Sequence, residues 1–345
     1  MGPVVVPGPV DGEPVIRRLG ERRRDLLTLT ARRAAIAPLI MGMVTAAAFA
    51  LAAVSPLDPL AAYLGDSYQF AGAETRDAAA KALGADASWW QAWWHWLVGT
   101  ASGDAGFSHT YRQPVVTVLA ERLPWTLLLS AAGLGAALLL AVAGGLVAAL
   151  RPGGVVDRAV ARLAVLASTV PTFVMALVVV AVFAVTWQVV PVSGAWAPGA
   201  APTVVSTATH LVLPALVLAV SQLPWMLLTT RQAVLKAVES APVCHARARG
   251  LSRWRVLVGH IGPVSWTPLI ALVGARLPEV IVGALVVEEV FAWPGLAEAT
   301  VDAALGADLP LLAAVTALSA AAIIAGTWLA DCALMLADPR VRVHA

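Results

Sequence analysis

The chain has 345 residues, of which 59% are hydrophobic and 13% charged, and a mean hydropathy of +0.80. That balance excludes an ordinary soluble domain, because the apolar side chains exceed what a core buries and must also face lipid. A net charge of +2 provides no global basic field for nucleic acid, so the positions of the charges carry the information.

The first residues are a Pro/Val/Gly run without the charged start, short apolar stretch and cleavage site of a secretory signal. Residues 1–33 are expected to form a basic, partly disordered cytoplasmic leader. Residues 34–342 read as one transmembrane domain with six apolar stretches, at about 34–54, 126–150, 159–185, 211–229, 266–287 and 309–336. Each approaches or exceeds the ~20 residues that cross a ~30 Å hydrocarbon core. Unbroken apolar runs lack the alternation of a barrel, so the fold class is an all-α membrane protein with about six transmembrane helices.

Lys and Arg set the orientation. Arg17, Arg18, Arg22, Arg23, Arg24, Arg32 and Arg33 precede the first stretch. Arg151, Arg158 and Arg162 follow the second, and Arg231, Lys236, Arg247, Arg249, Arg253 and Arg255 follow the fourth. With Arg340 and Arg342 they fall on one side. The other side holds the segment 55–121, the uncharged turn 191–202 and the acidic residues Glu288, Glu289, Glu298, Asp302 and Asp308. The positive-inside rule then places both termini in the cytoplasm.

The outer segment 55–121 carries Trp89, Trp90, Trp93, Trp94 and Trp96, whose spacing of three and four puts most of them on one face of an amphipathic helix. Two readings fit: an aromatic anchor at headgroup level, or a docking surface for a binding protein or substrate. In the fifth stretch Arg276 and Glu279 lie three apart, at a depth where an unpaired charge costs at least ~2.5 kcal/mol. They would form a local ion pair or line a translocation path.

An enzyme reading finds no support. Neither Lys81 nor Lys236 lies in the Gly-rich loop of a nucleotide site, the six histidines lack i, i+4 pairing, and no G-x-S-x-G elbow is present. Cys244 and Cys332 offer neither a disulfide framework nor metal-ligand spacing. The loop 231–262 is more informative. Its run 239–262 suggests a small-residue helix ending at Gly250, followed by a second helix capped by Ser252, and Ala246 and Ala248 suit close seating in a groove on a partner.

This loop resembles that of bacterial type I ABC importer permeases, within them the dipeptide, oligopeptide and nickel branch. Set on Gly250, the family's Glu-Ala-Ala, three residues, Gly, nine residues, Ile-x-Leu-Pro pattern puts Cys244, His245 and Ala246 at its first three positions. His260, Gly262 and Pro263 fall at its Ile, Leu and Pro. Cys244 to Leu251 is closer to the peptide branch's Arg-Thr-Ala-Arg-Ala-Lys-Gly-Leu run, with Cys and His replacing the leading Arg and Thr. Other stretches are similar in order: Ser55-Pro56-Leu57-Asp58-Pro59, Gly103-Asp104-Ala105-Gly106-Phe107-Ser108, Glu121-Arg122-Leu123-Pro124, Val170-Pro171-Thr172-Phe173, Pro191-Val192-Ser193-Gly194, Val287 through Leu296, and Asp338-Pro339-Arg340-Val341-Arg342.

The resemblance implies a multi-pass permease of the bacterial cytoplasmic membrane, working with a second homologous permease, two ATPase subunits or domains and an extracytoplasmic solute-binding protein. ATP and Mg would sit on the ATPase partners, with no cofactor on this chain. Coupling would run through Ala246, Arg247, Ala248, Arg249, Gly250 and Leu251, the short helix between the fourth and fifth spans. Peptides are the expected cargo, with nickel chelates and glutathione as alternatives inside the branch. An ion-gradient-driven secondary transporter is the rival from another class, although no internal repeat supports it. A membrane receptor or scaffold would leave the basic loop unexplained.

Overall fold

The computed structural model describes residues 15–55, 59–83, 87–191, 193–197, 199, 201 and 203–337. Residues 1–14, the Pro56-Leu57-Asp58 part of the first family-like stretch, Val192 and the terminal stretch 338–342 lie outside the described residues.

In chain order the helices are α1 (Val15–Ala53), α2 (Pro59–Leu64), α3 (Ala73–Leu83) and α4 (Trp89–Ala101). A two-residue antiparallel ribbon follows, β1 (Phe107–Ser108) against β2 (Gln113–Pro114), with Phe107 opposite Pro114. Then come α5 (Val115–Leu150), α6 (Val155–Thr169), α7 (Thr172–Val179) with a π-helical continuation Val180–Thr186, and α8 (Val204–Val238). The chain finishes with α9 (Ala241–Ala248), α10 (Arg253–Val256) with a π-helical turn Leu257–Ile261, α11 (Gly262–Val290), α12 (Leu296–Leu305) and α13 (Leu309–Ala337). Five helical stretches are long and apolar enough to span a membrane: Arg24–Ala53, Val115–Leu150, Val204–Val238, Arg253–Val290 and Leu309–Ala337.

The expected third span is not one straight helix. α6 and the helix Thr172–Thr186 meet at 101°, and counted together they make the sixth span. Pro171 explains the break. It has no N–H to continue the ladder and drives Val170 out of the helical region, to φ −96°, ψ 121°. The other spans overrun their apolar stretches at one or both ends. Hydropathy marks the part that suits hydrocarbon, while the backbone ladder continues into polar residues until a cap or a glycine stops it. The later part of the leader behaves this way, since α1 begins at Val15 and is continuous with the first span.

α5 and α8 pack most intimately, because small residues let the two backbones approach. A Cβ on Gly133 would fall 2.7 Å from Leu218, and one on Gly145 2.8 Å from Thr230. α1 lies against α13: the Arg33 guanidinium reaches Asp331 and donates to Thr327 Oγ1 at 2.6 Å, and Trp328 Nε1 donates to Thr30 Oγ1 at 3.1 Å. Arg33 thus satisfies its charge inside the bundle, although its position at the end of the leader marks it only as an orienting charge before the first span. One apolar cluster joins Ala149, Val234, Ala237, Val243, Ala246, Val256 and Ile261, tying the end of α5 to that of α8 and to the start of the fifth span. At the opposite end another joins Ala105, Val115, Val118, Leu296, Ala299, Ala303 and Leu311.

Candidate functional site

The basic connection between α8 and α11 folds as a bare elbow. Ser240 and Pro242 open α9, and the helix stops because Gly250 takes φ +75°, a left-handed conformation that glycine adopts without Cβ strain. The Gly250 N–H donates to the Arg247 carbonyl at 2.9 Å and the Leu251 N–H to the Ala246 carbonyl at 3.2 Å, the paired bonds of a Schellman ending. Ser252 stands at the N-cap of α10 as its sequence suggests, but its hydroxyl makes no capping bond.

Which way each residue faces corrects one expectation. Ala246 and Val243 are fully buried against this chain's own α8 and α10, whereas Cys244, His245, Arg247, Ala248, Arg249 and Gly250 are exposed. Ala246 therefore seats the elbow on its own bundle and presents nothing outward. The α9 face available to another molecule is Arg247, Ala248 and Arg249, extended beyond the turn by Arg253, Arg255 and Trp254, which is 71% exposed. Trp254 was missed by sequence reasoning. Its signal was an aromatic between two arginines immediately after a helix stop.

Below the elbow, Arg231 on α8 grips Asp157 on α6 along one edge of its guanidinium, Nε to Oδ1 at 2.5 Å and Nη2 to Oδ2 at 2.9 Å. Arg231 and Lys236 lie within α8 rather than in a loop, and Arg158 and Arg162 lie within α6. Charge counting by loops had hidden this pair.

Arg276 and Glu279, near the middle of α11, do pair with each other. The Arg276 guanidinium also rests 4.2 Å from the centre of the Trp225 ring on α8. The Glu279 side chain remains 55% exposed. So the local ion pair is present, and its carboxylate is also open to whatever lies against this helix.

The tryptophan helix α4 divides its aromatics. Trp93 Nε1 donates to Thr45 Oγ1 of α1 at 3.1 Å, and Trp96 Nε1 to the Ala105 carbonyl at 3.1 Å. Trp89, Trp90 and Trp94 are exposed.

At the end opposite the elbow, four of the five acidic residues of the outer stretch, Glu288, Glu298, Asp302 and Asp308, form a closed cap, while Glu289 is exposed. Buried Glu288 accepts the Ala297 N–H at 2.9 Å with Oε2, at the first turn of α12. Buried Trp293 donates to the Trp125 carbonyl at 3.0 Å, and Leu296 N–H to Thr126 Oγ1 at 2.8 Å. Gly295 allows this closure, since a Cβ there would fall 2.3 Å from the Glu288 carboxyl group. Arg122 pairs with Glu298 at 2.6 Å, and Asp308 accepts from the Ser108 hydroxyl at 2.6 Å and the Thr110 N–H at 3.0 Å. Tyr111 donates to Asp302 at 2.5 Å, and burial together with that bond raises its hydroxyl pKa above the ordinary phenol range.

These features define a class: a polytopic helical membrane protein, sealed on itself at one end and carrying a bare basic elbow at the other. Residues 141–343 match the model of the binding-protein-dependent transport system inner membrane component. Among relatives, a Brucella suis protein that is a peptide permease by name is 31% identical over 86% of this chain and 92% of its own length. The oligopeptide transport system permease protein AppB of Bacillus subtilis is 28% identical over 88% and 95%, respectively. The dipeptide transport system permease protein DppB of Escherichia coli is 28% identical over 75% and 83%. The chain belongs to the binding-protein-dependent transport system inner membrane components, the permease family of ABC importers.

Proposed function

We propose that this chain is the pore-forming subunit of an ATP-driven peptide importer, one of two related permeases served by two ATPase subunits or domains and an extracytoplasmic binding protein. The observation that carries this reading is the elbow: a two-helix turn seated by buried Ala246 and Val243, with its arginines exposed. Membership of the permease family and the peptide names of its relatives support the cargo.

In this reading the elbow lies in the cytoplasm with both termini, which the Arg distribution supports. Arg247, Ala248, Arg249 and Gly250 form the surface that seats in the ATPase, and Ala246 and Leu251 hold that surface on the bundle. ATP and Mg bind the ATPase partners. The Arg276–Glu279 pair lines the path between the two permeases, where a wet cavity removes the cost of an exposed mid-span carboxylate. Trp90 and Trp94 meet the outer headgroup layer or the binding protein.

The test is reconstitution in proteoliposomes with the partner permease, ATPases and binding protein. Uptake of a labelled dipeptide or oligopeptide that requires ATP and the binding protein is expected. Uptake driven by an ion gradient without ATP would overturn the reading. Cysteine labelling of positions 247–255 from the outer face would overturn the orientation.

A further inference from the structure

Building on the reading of α9 as the coupling elbow, we propose that the Asp157–Arg231 pair transmits elbow movement to the broken third span and acts as a positioning pair for transport. The geometry is specific. Arg231 lies on α8 seven residues before its last residue, Val238, and α9 begins three residues later at Ala241. A displacement of α9 reaches α8 there, because Ala237 at the end of α8 and Val243 and Ala246 of α9 share one buried cluster, which also takes in Val256 and Ile261 at the start of the fifth span.

The two-point grip of Arg231 on Asp157 resists rotation as well as separation, since a planar guanidinium and a carboxylate match in both direction and spacing. The Asp157 side chain is only 6% exposed and that of Arg231 20%. Asp157 Oδ2 also accepts the Gly153 N–H at 2.8 Å, so the same carboxylate fixes the turn that launches α6. Breaking one member leaves a shielded charge without its partner.

What α6 does with the movement follows from its other end. It stops at Thr169, and Pro171 turns the chain through 101° into α7. α7 places Ala176, with Met175 and Val179, in the core cluster that holds Val287, Phe291 and Trp293 beside the cap. A lever gripped at Asp157 and bent at Pro171 thus connects the elbow end to the sealed end alongside α8, against which both α6 and α7 pack.

The experiment uses the complete complex, with peptide uptake and ATP hydrolysis measured on the same proteoliposomes. Asp157→Asn keeps the size and removes the charge, and Arg231→Lys keeps the charge and removes the fork. Both variants are expected to retain the ATPase on purification. Peptide imported per ATP hydrolysed should fall by about fivefold or more in Asp157→Asn, within the span usual for coupling between linked sites. Arg231→Lys should fall between it and the parent.

An unchanged ratio in either variant would overturn the proposal, as would a loss of uptake that merely follows the amount of assembled complex or release of the ATPase. The double variant Arg247→Glu/Arg249→Glu tests the elbow separately. Its normal recovery with the ATPase would remove the elbow reading, while the import ratio of the Asp157 and Arg231 variants judges the lever.

Discussion

The elbow and the cap are built from similar material, short helices next to span ends, yet they treat charge in opposite ways. At the cap Arg122, Asp302 and Asp308 are matched inside the chain and Glu288 holds the start of α12. At the elbow, among the described residues, Arg247 and Arg249 have no ion pair, and what is satisfied there is the backbone. Most polar groups buried in their own chain find partners within it. One left exposed keeps its bonding capacity for another molecule.

The largest effect that would break this comparison is at the cap. Gly295→Val has no space beside Glu288, and overpacking of this kind costs about 1–3 kcal/mol or more. We expect loss of folded protein, read as a drop in detergent-extracted monodisperse complex and in its melting temperature. A variant as stable as the parent would show that the cap yields, and that its closure is no part of the fold.

Next is Ala246→Trp, which separates the elbow's seat from its surface. Because Ala246 is fully buried within this chain, the bulky side chain should dislodge α9 and lower the recovery of inserted protein. Ala248→Trp, on the exposed face, should leave insertion at the parent level and reduce only ATPase recovery. Equal behaviour of the two in a membrane fraction and pull-down would erase the distinction.

Gly250 sharpens the contrast with Gly295, since the two glycines are required for different reasons. Gly250 has open space around its missing Cβ, with nothing within 4 Å, and is constrained by φ +75° alone. Strain of this kind costs about 1–2 kcal/mol, and Asn tolerates the left-handed region better than a β-branched residue. Gly250→Asn should keep the ATPase on purification, while Gly250→Val should insert normally and release it. Identical retention of the ATPase by both would remove the turn from the coupling surface.

The legibility of these regions in the sequence differed for physical reasons. Long apolar runs report helices directly, so the spans and the helix stop at Gly250 were readable. Hydropathy does not report direction: the Ala246 side chain points inward and Ala248 outward although both are small residues in one basic run. It also missed the break at Pro171, because α6 and α7 are apolar on both sides of it. Pairings between distant segments, such as Asp157 with Arg231 or Arg33 with Asp331, leave no local spacing signal at all. The i, i+3 spacing of Arg276 and Glu279 did leave one, and that pair formed.

The smallest effect tests whether a paired charge can still serve another molecule, as Arg276 and Glu279 would if they line the path. Exchanging the two residues is a poor discriminator by itself, because Arg276 is stacked over Trp225. A glutamate at 276 would turn negative charge toward the negative face of that ring and add a defect unrelated to transport. Single substitutions avoid this. Arg276→Lys keeps the charge and weakens the planar stacking, so it should lower stability slightly, whatever the path requires. Glu279→Gln removes a charge from a side chain that is more than half exposed, so it should leave assembly and melting temperature close to the parent. If the carboxylate faces the path, that variant should still lower peptide uptake several-fold at unchanged complex yield. Parent-level uptake by Glu279→Gln would remove its carboxylate from the path and assign the pair to holding Arg276 over Trp225, and so α11 against α8.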